Sequence, residues 1–258
     1  MTTISAVLIV LNEERNIEAC LKSLAWTDEI ILMDSGSTDR TLELARKLSA
    51  KIHFLPFANY SAQKNAAIEK ASSDWILMVD LDERIPPELA EEIEGVVRNS
   101  EKDAVYAICR NNYFFGKPLR FSGAREDWPI RLFPRGKAHY EQPVHEYIVT
   151  ELPVKKLTLP MIHYSTLDFE HYQLKLKRYI PFEIEILKQR GCSFPFLKMI
   201  VLPAAKFVQL YLFQGGFLDG LAGLQYSVLS SYYAFLKHRE FLRLKERPRR
   251  DSNTRPTD

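Results

Sequence analysis

The sequence predicts an α/β fold: a mostly parallel sheet flanked by helices, followed by a C-terminal helical region. Three observations point to it. Four short apolar runs alternate with helical patterns through residues 4–79. From residue 167 the strand signals stop and only helical spacing remains. Charge divides at nearly the same point, with 20 Lys/Arg against 24 Asp/Glu in residues 1–164 and 15 against 9 in residues 165–258. A total of +2 therefore hides an acidic front and a basic back.

Ile4–Val10 is a continuous apolar run that reads as a buried strand. Glu13 to Ala25 places Ile17, Leu21 and Leu24 at helical spacing. Glu29–Met33 is the second strand, and the Asp34-Ser35-Gly36-Ser37-Thr38-Asp39 run after it suits a loop feeding a helix N-cap. Thr41–Leu48 is that helix, Lys51–Leu55 the third strand, Ser61–Ala71 a helix and Trp75–Val79 the fourth strand. Strands alternating with helices of this length make βαβ units and a parallel sheet. Pro86-Pro87 opens a helix reaching about Asn99, since proline is tolerated in a first turn. Residues 104–163 change to short strands with many aromatics, and Leu167 to Arg190 is helical. Two further helical stretches, about Pro195–Phe213 and Phe217–His238, are joined through Gly215-Gly216. The polar, basic tail from residue 246 to 258 is predicted to be disordered.

Cys20, Cys109 and Cys192 are far apart and show no metal-ligand spacing, which predicts reduced thiols. The N-terminus lacks the order of a signal peptide, and no uninterrupted apolar run reaches spanning length; Phe194 to Leu224 is broken by Lys198, Lys206, Asp219 and prolines.

Ligands of parallel sheets collect beyond the carboxyl ends of the strands. The chain's odd polar residues fall there: Asn12-Glu13, Asp34-Ser35 and Asp80-Leu81-Asp82-Glu83. Two carboxylates one residue apart at a strand end repel each other. They become favourable when an oxygen-preferring divalent cation sits between them and a phosphate, which points to nucleotide chemistry. Structural readings stand beside these. Asp80 and Asp82 could cap the helix after Pro86, Asp34 could cap its own following helix, and Glu13 could answer a helix dipole. Lys64 could be a solvated helix lysine, Arg131 a partner of Glu126 or Asp127, and His145 and His163 structural histidines.

Taken together, Val10-Leu11-Asn12-Glu13-Glu14, Asp34-Ser35-Gly36-Ser37-Thr38-Asp39, Gln63-Lys64-Asn65 and Asp80-Leu81-Asp82-Glu83, in this order, resemble the family 2 glycosyltransferases of the GT-A fold over roughly residues 4–163. Arg131-Leu132-Phe133, Val144-His145-Glu146 and Gly216-Phe217-Leu218-Asp219-Gly220 make the bacterial lipopolysaccharide core β-1,4-glucosyltransferase branch the nearest likeness. Leu81 stands where alanine is commoner in that family, with its side chain expected to point away from the metal. The resemblance implies a catalytic domain over residues 1–165, with nucleotide-sugar binding in 1–100 and the acceptor part in 101–165. A helical, membrane-associating region would follow over 166–245. It implies direct transfer with inversion of a hexose such as glucose from a nucleoside-diphosphate sugar, UDP-sugars first, with Mg²⁺ or Mn²⁺. Leu11, Asn12, Glu13, Asp34, Ser35, Lys64, Asp80 and Arg131 would hold the donor, and Asp82 the metal, with His163 or His145 adding a contact. For the base that takes the acceptor proton, Asp127 is the first choice and Glu146 its rival.

Residues 194–241 combine many aromatics with punctuating Lys and Arg, a composition that fits a helix lying in a bilayer interface. Packing on the catalytic domain or a dimer seam would use the same residues. A cytoplasmic enzyme, peripheral on the inner face of the cytoplasmic membrane and acting on a lipid-linked glycan, would rationalise them. The acceptor could equally be a polyprenyl phosphate. Nucleic acid is excluded as a partner by the acidic front and the lack of a recognised module. A haloacid-dehalogenase-type phosphatase would carry its D-x-D after the first strand rather than the fourth. A dinucleotide oxidoreductase needs a G-x-G-x-x-G that is absent, and a sugar-nucleotide-forming enzyme a Gly-rich, Arg-containing loop. A non-catalytic nucleotide-sugar-binding protein is the remaining alternative.

Overall fold

The computed structural model describes residues 2–99, 102–123, 127–142 and 146–246. It divides into two compact units: Met1–Asn112 with Glu126–Ser165, and Tyr113–Arg125 with Thr166–Asp258.

The first unit opens with β1 (Ile4–Val10), α1 (Ile17–Lys22), β2 (Glu29–Asp34), α2 (Thr41–Lys47), β3 (Lys51–Phe54), α3 (Tyr60–Glu69) and β4 (Trp75–Met78). The short β5 (Glu83–Arg84) and α4 (Pro87–Asn99) follow. Then come β6 (Val105–Ala107), β7 (Arg110–Phe114), which ends in the second unit, β8 (Lys117–Pro118), which lies wholly in the second unit, and, beginning again in the first, β9 (Ile130–Pro134), β10 (His139–Glu141), β11 (Tyr147–Val149), β12 (Val154–Lys156) and β13 (Met161–Thr166). Seven strands form one sheet in the order β12-β6-β9-β4-β1-β2-β3. β1 pairs in parallel with both β2 and β4, β2 with β3 and β6 with β12, while β9 runs antiparallel to its neighbours β4 and β6. The α/β expectation is met.

Alternation explains why the central strands β1 and β4 are almost entirely apolar. Ile4, Ala6, Leu8 and Val10 pack with Trp75, Leu77 and Val79 on one face, joined by Ile17 and Leu21 of α1 and Leu89 and Ile93 of α4. Val7, Ile76 and Met78 pack on the other face with Ala67 of α3, Phe133 and Tyr140. A sheet covered on both faces needs no polar alternation. Each fully buried Leu or Ile here stabilises by about 1.5–3 kcal/mol.

The strand order reverses at β1. From there the chain moves to β2 on one side, while β4 lies on the other. A crevice beyond the carboxyl ends of β1 and β4 is where such sheets bind ligands, and Leu11-Asn12 and Asp80-Leu81-Asp82 follow those two ends.

In the second unit, α5 (Phe169–Gln189), α6 (Pro195–Val208) and α7 (Gly220–Glu246) pack together, with a π-helical turn over Gln209–Phe213 and a 3₁₀ turn over Gly216–Asp219. Residues 113–125, placed by the sequence reading in the first domain, belong to this unit. The carboxylate of Asp219 accepts from the amides of Arg120 and Phe121 at 2.9 and 3.0 Å and from the Ser122 hydroxyl at 3.2 Å. Gly216 is required there, since a Cβ would lie 2.8 Å from both the Leu210 carbonyl and the Ser122 hydroxyl. This accounts for the Gly216–Gly220 segment as a clamp on the 120–122 loop.

Two lysines do not prevent Pro195–Phe213 from being long and apolar enough to cross a membrane by length and composition, although the sequence offers no uninterrupted run of that length. Only 6% of it is buried. Phe196, Leu197, Ile200, Val201 and Leu212 are all exposed. The tail from residue 247, Glu126, Val144 and His145 lie outside the described residues.

Candidate active site

The site is built on the segment after β4. Leu81 turns into the core and is 5% exposed, which leaves Asp80 and Asp82 on the polar side. Glu83, fully buried, accepts from the Asp80 amide at 2.9 Å, from Arg110 Nε at 2.8 Å and from Arg131 Nη2 at 2.6 Å. Asp80 Oδ2 accepts from Arg131 Nη2 and, at 3.1 Å, from Arg110 Nη2; its Oδ1 lies 3.5 Å from Lys64 Nζ. Burial opposes ionisation of Asp80, but Arg131, Lys64 and Arg110 prevail and hold its carboxyl well below the usual range. Burial likewise works against the charge of Lys64, yet Asp80 and further neighbours keep its ammonium above its ordinary value.

Lys64, on α3 and 5% exposed, donates to Glu146 Oε1 at 2.8 Å and sits 4.9 Å over the Tyr140 ring. Glu146 therefore joins the cluster through Lys64. Asp127 joins it through Arg110, whose Nη1 donates to Asp127 Oδ2 at 2.8 Å; the Asp127 side chain stays 50% exposed. Arg131 pairs with Asp80 and Glu83, a different pairing from the Glu126 or Asp127 partnership open to it in sequence.

Asp82 points to a second corner. Antiparallel pairing of β13 with β5 sets His163 opposite Glu83, and the Tyr164 amide donates to the Asp82 carbonyl at 2.8 Å. His163 Nε2 consequently lies 3.4 Å from Asp82 Oδ2, while Nδ1 is 2.6 Å from Asn112 Oδ1. Among the described residues no group of three or more His, Cys, Asp or Glu side chains forms a ready metal cage. The carboxylate suits Mg²⁺ or Mn²⁺, which take the rest of their shell from substrate phosphates and water, and the imidazole nitrogen favours Mn²⁺ of the two.

The remaining sequence candidates form the neighbouring wall. Asn12 adopts a left-handed φ of 53°, with its Oδ1 accepting from the Thr38 amide at 2.8 Å and its own amide donating to Ser37 Oγ at 3.0 Å. Glu13 donates its amide to Thr41 Oγ1 and accepts from Asn16 Nδ2 at 2.9 Å. Asp34, 2% exposed, accepts from the amides of Gly36 and Ser37, so its carboxylate shapes its own loop. Ser35 Oγ accepts from Gln63 Nε2 at 3.0 Å, and Leu11 is half-buried. Asp80, Lys64, Arg131, Asp127 and Glu146 thus share one ionic network. Asp82 and His163 meet beside it. Leu11, Asn12, Glu13, Asp34 and Ser35 are joined by loop contacts instead. At the centre of the network are Glu83, which the sequence reading includes in its motif without a role, and Arg110, which it does not name. Glu83 follows the D-x-D directly, but nothing local marks Arg110.

A carboxylate pair thus follows β4 at the switch point of a βαβ sheet, with the buried cations Lys64 and Arg131 beside it, an arrangement of the α/β enzyme class. The chain belongs to glycosyl transferase family 2, whose model matches residues 5–154, and it is a glycosyltransferase with the GT-A arrangement. It is 31% identical over 259 residues to the lipopolysaccharide core biosynthesis glycosyltransferase LpsC of Rhizobium meliloti, covering 96% of each chain. An uncharacterised glycosyltransferase of Rickettsia typhi is 28% identical over 92% of this chain and 86% of its own. Among solved structures, glucosyl-3-phosphoglycerate synthase from Mycobacterium tuberculosis, in complex with Mn²⁺, UDP and glucosyl-3-phosphoglycerate, is 26% identical with a TM-score of 0.36. That match covers 45% of each chain, so this chain spans less than half of that structure. S. aureus TarS 1-349 is 16% identical over 93% of this chain and 92% of its own, with a TM-score of 0.48.

Proposed function

We propose that this glycosyltransferase is inverting and metal-dependent, and that it moves a hexose such as glucose from a UDP-sugar to a lipid-linked glycan of the lipopolysaccharide core type. The observation that carries the mechanism is the convergence of Asp82 with His163 beside the network linking Asp80, Arg110 and Asp127. Near full-length similarity to LpsC supports the acceptor class.

The first unit supplies the chemistry in this reading. Asp82 and His163 would hold Mg²⁺ or Mn²⁺, which when bound neutralises the charge that develops on the departing diphosphate. Lys64, Asp80 and Arg131 give the site a fixed array of charges, so little reorganisation is needed as charge moves. Leu11, Asn12, Glu13, Asp34 and Ser35 form the loop wall against which the nucleoside lies. Asp127 takes the acceptor hydroxyl proton. The new C–O bond forms on the face opposite the diphosphate, whose bond to the sugar breaks with its electron pair. Each carboxylate holds one ion pair at 2.8 Å, Asp127 with Arg110 and Glu146 with Lys64; Asp127 suits this role better because its side chain is 50% exposed against 21% for Glu146.

The second unit would hold the enzyme at its acceptor. The exposed apolar residues of α6, with Lys198 and Lys206 among them, suit the inner face of the cytoplasmic membrane: apolar side chains in the acyl boundary and ammonium groups at anionic headgroups. The enzyme would then be cytoplasmic and peripheral.

Transfer of radiolabelled sugar from UDP-glucose to core-truncated lipopolysaccharide in membranes tests this. An inverted linkage in the product, formed only with Mg²⁺ or Mn²⁺, is expected. Retention of configuration, or undiminished transfer in chelator, would refute the mechanism.

A further inference from the structure

We infer that Asn112 is a positioning residue that fixes His163 in the one tautomer able to bind a divalent cation together with Asp82. The inference rests on the metal-dependent reading above and assigns a role to a residue outside every motif of the sequence analysis.

The argument starts from the alternation of a strand. Arg110 and Asn112 lie two apart on β7, so their side chains leave the same face. Arg110 uses that face to reach Asp80, Glu83 and Asp127. Asn112 uses it to place Oδ1 2.6 Å from His163 Nδ1. An amide oxygen only accepts, so the ring nitrogen facing it carries the hydrogen. In the neutral ring Nε2 is then the lone-pair nitrogen, and it lies 3.4 Å from Asp82 Oδ2. An imidazole lone pair and a carboxylate oxygen at that separation repel unless something positive stands between them, either a proton on Nε2 or a cation. With Nδ1–H held by Asn112, a divalent cation that takes the place of such a proton satisfies both groups at once. Metal-bound histidines generally hold their other ring N–H against a carbonyl or carboxylate, which sets both tautomer and ring plane. Asn112 supplies that carbonyl from its side chain. Pairing of His163 opposite Glu83 fixes its backbone, and the contact with Asn112 then sets which ring nitrogen carries the hydrogen.

Two variants separate positioning from mere packing. Asn112→Leu keeps the approximate volume and removes the acceptor; Asn112→Asp keeps an acceptor for the same N–H. The readouts are the His163 tautomer, from ¹⁵N-edited spectra of the metal-free full chain, and Mn²⁺ affinity in the presence of UDP, by calorimetry. Wild-type protein is expected to carry the hydrogen on Nδ1. Asn112→Leu should move it to Nε2 and weaken Mn²⁺ binding about 10–100-fold, whereas Asn112→Asp should keep the tautomer and stay within about threefold. An Nε2–H tautomer in the wild type overturns the inference even if neither variant folds. So does unchanged Mn²⁺ affinity in Asn112→Leu while the wild type binds. Wild-type protein that holds UDP but takes up no Mn²⁺ overturns the metal-dependent reading together with this inference.

Discussion

Replacing Arg131 with Met tests whether the network beneath the D-x-D is held by buried charge. Arg131 is 3% exposed, and its Nη2 serves both Asp80 and the fully buried Glu83. Removing it leaves two carboxylates sharing Arg110, with Lys64 additionally near Asp80. Breaking one partner out of a buried pair costs about 3–5 kcal/mol, because the charge left behind is uncompensated. For a chain of this length that is a fall in Tm of roughly 10 °C. Urea unfolding followed by tryptophan fluorescence reads the difference, since Trp75 is fully buried in the sheet core of the same unit. Adding Glu83→Gln to Arg131→Met removes one of the stranded charges and should restore about 1–3 kcal/mol. The pH dependence has a definite sign. Asp80 is held below its unfolded value, so its stabilisation is present above that value and lost as pH falls. In Arg131→Met the carboxyl protonates more readily, and the deficit against wild type should shrink below about pH 4. A single variant within about 1 kcal/mol of wild type at pH 7, or a double variant no better than the single, would refute the reasoning.

Asp127→Asn should leave UDP-sugar binding intact and lower turnover about 100-fold or more, read by steady-state UDP release; if Glu146→Gln has that effect instead, the base is Glu146. Glu29 accepts from Ser5, Ser72 and Lys51, and these bonds overcome its burial to bring its carboxyl down to about 2. From an ordinary value of 4.5 that is worth about 3 kcal/mol, present above pH 4.5 and lost as pH falls toward 2. Unfolding of Glu29→Gln across that window should converge on wild type at the acid end, and a constant gap would contradict it. Replacing Phe196, Leu197 and Ile200 with Ser should abolish cosedimentation with anionic vesicles while leaving the fold's circular dichroism unchanged; undiminished binding would remove α6 from the membrane.

The sheet is legible in the sequence because its strands are buried on both faces. Ile4–Val10 and Trp75–Met78 have no polar alternation to mislead, and proline marks the start of α4. Helix ends are less legible. The helix expected from Glu13 starts at Ile17, because Asn12, Glu13 and Glu14 donate their amides to Ser37, Thr41 and Asp39 of the next loop. The last helix runs on to Glu246, where Arg243 and Lys245 suit the negative end of its dipole. The D-x-D region is recognisable because its chemistry is local. Its support is not: Arg110 lies 30 residues beyond Asp80, and only the pairing of β5 with β13 brings His163 to Asp82. Asp34 shows the opposite difficulty. Its loop composition is plain in sequence, but whether a carboxylate faces a ligand or its own backbone depends on φ and ψ at Gly36, whose φ is 109°.

Calorimetry of UDP-glucose binding, with Mn²⁺ and then with chelator, in wild type and Asp82→Ala, tests the central claim most directly. The account predicts binding that depends on Mn²⁺ in the wild type and is lost or sharply weakened in Asp82→Ala. Equal binding in chelator, or an Asp82→Ala protein that binds donor and Mn²⁺ as wild type does, would contradict it.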